Sequence, residues 1–131
     1  MDYVFVLDVS GSMAHDGKLR LSQASIGEFV KSLDSEDRFE VITFNIAPTT
    51  LFNEMRPVTD DNQTIAADFL RSQQGRGGTS LQPAVSAAYR YGEPDRPLNV
   101  VILSDGMTEN RARTELLPLL AGRRAHVSVF C

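Results

Sequence analysis

Apolar residues follow two alternating patterns along this chain. Four short runs, Tyr3 to Leu7, Phe39 to Phe44, Leu98 to Leu103 and His126 to Phe130, are almost continuously apolar. Runs of that kind suit strands covered on both faces, which favours a parallel sheet over an antiparallel one with a wet face. Between them, Ile26, Phe29, Val30 and Leu33 recur at helical spacing, as do Leu81, Ala84, Val85 and Ala88, while Ile65, Ala66, Phe69 and Leu70 give a shorter stripe. The stripes are expected to face the core. A run from Thr49 to Phe52 is expected as an edge hairpin, and a last helix is expected to start near Asn110, kink at Pro118 and stop at Gly122. Strands alternating with helices imply right-handed crossovers and an α/β fold with an open, doubly wound, mostly parallel sheet flanked by helices.

Composition narrows the class further. With 131 residues, 42% of them hydrophobic and 23% charged, the chain suits one domain over residues 1–131 and is too apolar for disorder. No apolar run approaches the ~18 residues that would suggest a membrane span, so direct membrane insertion is not expected. The 13 Lys and Arg against 17 Asp and Glu, a net charge of -4, argue against a general nucleic-acid partner, because phosphate contacts need clustered cations. Cys131, the only cysteine, forms no internal disulfide and says nothing of compartment. Met1 and Asp2 lead directly into the first strand, without the charged and apolar segments of a signal peptide, and the chain stops at Cys131 inside its last strand. Both ends suggest a piece of a longer protein.

In an open α/β sheet, ligands bind beyond the carboxyl ends of the strands, where the strand order reverses. Two strands end in aspartate: Leu7-Asp8-Val9-Ser10-Gly11-Ser12-Met13 and Leu103-Ser104-Asp105-Gly106. Between them lies Gly75-Arg76-Gly77-Gly78-Thr79-Ser80, a glycine-rich loop whose hydroxyls stand where the next helix begins. The set Asp8, Ser10, Ser12, Thr79 and Asp105 carries oxygen donors alone. Hard divalent cations want such donors, and Mg²⁺ takes about six of them while keeping several of its waters. Singly, Ser and Thr at helix starts are usually caps and an Asp after a strand usually opens a turn. Together, on one predicted rim, they point to a metal.

The same residues resemble the von Willebrand factor A domains, whose metal-ion-dependent adhesion site has the pattern Asp-x-Ser-x-Ser, then Thr, then Asp. The match runs over Asp8-Val9-Ser10-Gly11-Ser12, Thr79 in Gly77-Gly78-Thr79, and Asp105 in Ser104-Asp105-Gly106. With Met13 after the motif and Asp37-Arg38-Phe39-Glu40-Val41-Ile42-Thr43-Phe44 downstream, the chain looks most like the subgroup found in bacterial multidomain proteins and inter-alpha-trypsin inhibitor heavy chains. The resemblance implies a Rossmann-like fold that elsewhere continues with another strand and a C-terminal helix, both missing here. It implies that Ser10 and Ser12 give hydroxyl oxygens directly to Mg²⁺ or Mn²⁺, with Ca²⁺ a further candidate. Thr79 would also bind directly, with Asp8 and Asp105 holding coordinated waters and the serine hydroxyls. A metal with few direct carboxylates keeps charge for an Asp or Glu of a protein partner. The implied role is adhesion or protein-protein interaction without catalysis, slightly favouring an extracellular or cell-surface setting. The parent protein, the partner's identity, the compartment and the oligomeric state stay open.

Two alternatives belong to other classes. A strand-end aspartate beside Mg²⁺ is also the arrangement of aspartyl-phosphate phosphatases, but those carry a second Asp two residues later, where this chain has Ser10. Lys18 and Lys31, the only lysines, lie in the first helical segment and not near Asp105. A serine nucleophile would need a histidine base, and His15 sits on a loop while His126 opens a strand. The glycine loop lacks the Gly-Lys-Ser/Thr ending of a phosphate-binding loop. The other alternative is a metal site with a purely structural role. Asn62-Gln63-Thr64 fits the N-glycosylation pattern but is expected to cap a helix, and Tyr89 and Tyr91 are expected to pack. Asp60-Asp61 and Asp34 to Asp37 are expected at helix boundaries. Arg76, in the loop before Thr79, is placed to attract a partner's carboxylate.

Overall fold

Register sorts the apolar side chains onto two faces before any helix is added. In the computed structural model, which describes residues 2–14, 17–75, 77–78, 81–91, 98–103 and, as backbone, 125–130, β1 (Asp2–Asp8) pairs in parallel with β2 (Arg38–Phe44) and with β5 (Leu98–Leu103). Phe5 sits level with Val41 and Val101, and Val6 level with Ile42 and Ile102. Because alternate residues point to opposite sides, odd positions of β1 gather in one core and even positions in the other.

Helix α1 (Lys18–Ser32) and helix α2 (Asp60–Arg71) cover the first face. There Ile26, Val30, Ala66 and Leu70 pack with Phe5, Leu7, Phe39, Val41 and Val101. Helix α3 (Leu81–Tyr89) covers the second, where Ala84, Ala87, Ala88 and Tyr89 meet Val4, Val6, Ile42, Phe44 and Val100. The sheet is completed by β3 (Pro48–Thr50) and β4 (Arg56–Pro57), both antiparallel to β2, and by β6 (Ala125–Phe130), parallel to β5. Its order is β3-β2-β1-β5-β6, with β4 beside the start of β2. The doubly wound, mostly parallel sheet expected from the sequence is present. The chain leaves β1 toward β2 on one side while β5 and β6 lie on the other, so the order reverses between β1 and β5. At that point the helical crossovers change faces and leave a crevice at the carboxyl rim.

Several local expectations need correction. The edge hairpin does not span Thr49 to Phe52: β3 ends at Thr50, and the chain then bulges over 51–54, with Asn53 at φ 58. Glu40, wholly buried in mid-strand, causes this. Its carboxylate accepts the N–H groups of Val41, Phe52 and Glu54 at 2.8, 2.9 and 3.2 Å, and the Tyr91 hydroxyl at 2.9 Å. It stands in for the ladder that β2 would otherwise form with the bulge. The two-residue β4, without apolar signal, was not expected.

Not every stripe position is core. Ile65 is 45% exposed, and Phe29, although edge-on to Phe5 at 5.2 Å and to Tyr3 at 5.6 Å, is 37% exposed. The cap of α2 is Thr59, whose hydroxyl accepts the Asn62 N–H at 3.2 Å. Asn62 is instead buried with its amide donating to Pro57 O at 2.9 Å, so it neither caps the helix nor offers a side chain for glycosylation. Asp60 and Asp61 occupy the first turn of α2 as expected, complementing its dipole. Tyr89 is buried, and the acidic stretch after α1 closes a turn in which Asp37 N–H donates to Asp34 O. Arg38 grips the buried Asp2 with two hydrogen bonds, 3.0 and 2.6 Å, locking the start of β2 to that of β1. The helix expected over Asn110 to Gly122 lies outside the described residues.

Candidate metal centre

Asp8 is the last residue of β1, and its side chain is wholly buried. Ser10, two residues on, is 2% exposed, and its N–H donates to Asp8 Oδ1 at 2.8 Å. This bond bends the chain off the strand end, so that carboxylate and hydroxyl residue share one tight turn. The turn is fixed from two sides. Val9 N–H donates to Phe44 O at 2.8 Å, holding it to the end of β2, and Met13 N–H donates to Ser10 O at 3.0 Å, opening a short 3-10 turn over Gly11–Ala14 that places the Ser12 backbone.

The glycine-rich loop comes to this turn directly. Gly11 N–H donates to Gly77 O at 2.9 Å. Gly77 has φ 77, where a Cβ would be strained, and an added Cβ at Gly11 would stand 3.4 Å from the same Gly77 oxygen. Glycine at both positions lets the two backbones meet. Gly77 is thereby docked on the segment that carries Ser10 and Ser12.

Of the residues expected from the sequence, Asp8 and Ser10 are brought together, buried, at the carboxyl rim beside the β1/β5 reversal. Ser12 is placed by its backbone in the adjoining turn. Thr79, Asp105, Arg76 and His15 lie outside the described residues, and His126 is described as β6 backbone only. The donor chemistry is consistent with a small hard cation: oxygen atoms, one carboxylate and neutral hydroxyl residues on a fixed turn. Among the described residues no cluster of three or more His, Cys, Asp or Glu side chains is placed to hold a metal. Sequence reasoning missed Gly11 and Gly77 as the contact between the two loops. The signal was available in the glycine that separates Ser10 from Ser12.

A family model for the von Willebrand factor type A domain matches residues 1–131. The chain belongs to that family. A von Willebrand factor A domain-containing protein of Dictyostelium discoideum is 31% identical over 113 residues, covering 84% of this chain and 12% of the relative. Inter-alpha-trypsin inhibitor heavy chain H3 of Bos taurus is 30% identical over 112 residues, covering 79% of the chain and 12% of the relative. The chain thus spans about an eighth of those curated relatives. Among solved structures, the von Willebrand factor type A protein from Catenulispora acidiphila superposes with a TM-score of 0.79 at 15% identity, over 98% of this chain and 32% of that one. The vWF domain of the type V pili tip protein Mfa5 from Porphyromonas gingivalis gives 0.68 at 22% identity, over 80% and 37%. These two structures share the fold of this von Willebrand factor type A domain.

Proposed function

We propose that this domain is a divalent-metal-dependent protein-binding module that takes an Asp or Glu of a partner through Mg²⁺ or Mn²⁺. The observation that carries the reading is the buried turn in which Ser10 N–H binds the Asp8 carboxylate at the carboxyl rim, docked by Gly11 on the loop leading to Thr79. Ser10, Ser12 and Thr79 would hold the cation with neutral hydroxyls, and Asp8 and Asp105 would supply its charge compensation. When bound, a cation with that donor set stays electron-poor enough to accept one further carboxylate.

What this chain's residues do is hold that geometry in advance. Asp8 fixes the Ser10 backbone, and the Gly11 N–H to Gly77 O bond holds Gly77 against the turn of Ser10. Preorganisation of this kind lowers the cost of ordering ligands when the metal binds. Family membership, the heavy-chain relatives and the pilus tip neighbour are in keeping with an interaction role. Absence of the second Asp at Ser10, and of lysine outside α1, weighs against phosphoryl transfer.

Acetate is a sufficient probe of the proposal, because it carries the partner's functional group alone. In heteronuclear NMR, acetate should shift the Ser10 to Met13 amides saturably when Mg²⁺ is present, and should do so neither in chelator nor in Asp8→Ala. Acetate shifts that ignore Mg²⁺ would refute the reading. Mg²⁺-dependent hydrolysis of a phosphate ester, lost in Asp8→Ala, would replace it with a hydrolase, and Mg²⁺ stabilisation without any acetate response would replace it with a structural metal.

A further inference from the structure

A second feature of the carboxyl rim is a broad cleft of about 890 Å³ between the start of α1 and the end of α2. Met13 and Gly75 form its near side, Arg20 and Arg71 stand among its walls, and Gln23 and Gln73 are also part of its lining. The Gln23 amide donates to Leu70 O at 2.5 Å and to Gln73 O at 3.4 Å, so the two helices that make the walls are tied together. The cleft adjoins the proposed metal site: Met13 follows Ser12, and Gly75 opens the loop whose Gly77 carbonyl accepts the Gly11 N–H.

The chain carries a net charge of -4, yet among the described residues the charged members of this lining are two arginines. Arg71 is paired with Asp68 on its own helix, while Arg20 forms no ion pair with a described residue. The first turn of α1 adds Lys18 to Arg20 and holds no acidic residue. Cations at that end of a helix oppose the dipole at about 0.3–1 kcal/mol each, so stability alone does not favour them there. A volume near the top of the ~300–1,000 Å³ range of ligand pockets accommodates several residues of extended chain.

Resting on the metal-dependent reading above, we propose that this cleft binds acidic residues flanking the carboxylate that the metal site takes. The partner is then an acidic protein segment, not a nucleic acid, which the net charge of -4 would repel. The metal site accepts one carboxylate, and Arg20, helped by Lys18, accepts a neighbouring one. Exposed pairs of this kind contribute modestly and act strongly on association and salt dependence.

The test uses the whole chain and two fluorescent peptides, one with a single Asp among glycines and one with Glu residues on both sides of that Asp. In Mg²⁺ at low salt, the Glu-flanked peptide should bind about fivefold more tightly. Arg20→Gln should remove most of that gain and leave the single-Asp peptide unchanged, whereas Lys31→Gln, at the far end of α1, should alter neither. Equal affinity of the two peptides, or a gain that survives in Arg20→Gln, overturns the proposal while leaving the metal reading intact. An Arg20-dependent gain that persists in chelator upholds the cleft and removes the metal reading. Binding of neither peptide, or a preference for phosphatidylserine vesicles over the Glu-flanked peptide that Arg20→Gln abolishes, overturns it as well.

Discussion

Glu40 and Asp8 are both wholly buried carboxylates on neighbouring strands of one sheet, and they do opposite jobs. Glu40 lies in the middle of β2, and four donors from its own strand, the 51–54 bulge and the end of α3 converge on it. Asp8 ends β1, where the strand order reverses, and its carboxylate accepts the N–H of Ser10 in the turn that follows. A carboxylate inside a strand is held by the fold and holds it. One at the strand's carboxyl end lies at the rim where the crossovers part, and here it holds the Ser10 backbone of the turn that follows.

The largest test of that contrast is Glu40→Ala. It strands three N–H groups and a tyrosine hydroxyl, and should cost about 3 kcal/mol in urea unfolding. A loss below about 1 kcal/mol would mean that the bulge finds other acceptors and that Glu40 is not the structural member of the pair.

Tyr91→Phe is the gentler probe, removing one donor from Glu40 at an expected cost of about 1 kcal/mol. It also has a pH signature. Burial, followed by the Glu40 hydrogen bond and its charge, raises the Tyr91 pKa well above the ordinary 10.0. The folded protein therefore keeps a proton that the unfolded chain releases, and stability is fully present below pH 10 and falls as pH rises past it. Tyr91→Phe should flatten that alkaline fall. An unchanged alkaline profile in the variant would break the assignment.

Much of this was legible from apolar pattern alone. β1, β2 and β5 were found because each is buried on both faces and needs no polar alternation, and the same apolar pattern found the β6 backbone. The bulge was not legible, since Leu51 and Phe52 look like strand residues and only Glu40, twelve residues before Phe52, tells where the Phe52 N–H goes. A lone glutamate in a continuous apolar strand was the available signal. Asn62 was misplaced because Thr59, an equally good cap three residues earlier, won the N–H that defines the helix start. Ile65 illustrates the limit of a stripe of four: α2 is held by Ala66 and Leu70, and the helix turns Ile65 toward solvent. At the site, spacing and residue type brought Asp8 and Ser10 into view, while the Gly11 to Gly77 contact is a tertiary approach for which the glycine between Ser10 and Ser12 gave one half of the signal.

The most direct measurement is calorimetric titration of the metal-stripped protein with Mg²⁺ and with Mn²⁺, run on the wild type, Asp8→Ala and Tyr91→Phe. The account predicts one saturable site in the wild type, lost in Asp8→Ala and retained in Tyr91→Phe, because the proposed metal site uses Asp8 and not the Glu40 network. No heat in a folded wild type, or a site that survives Asp8→Ala, would contradict it.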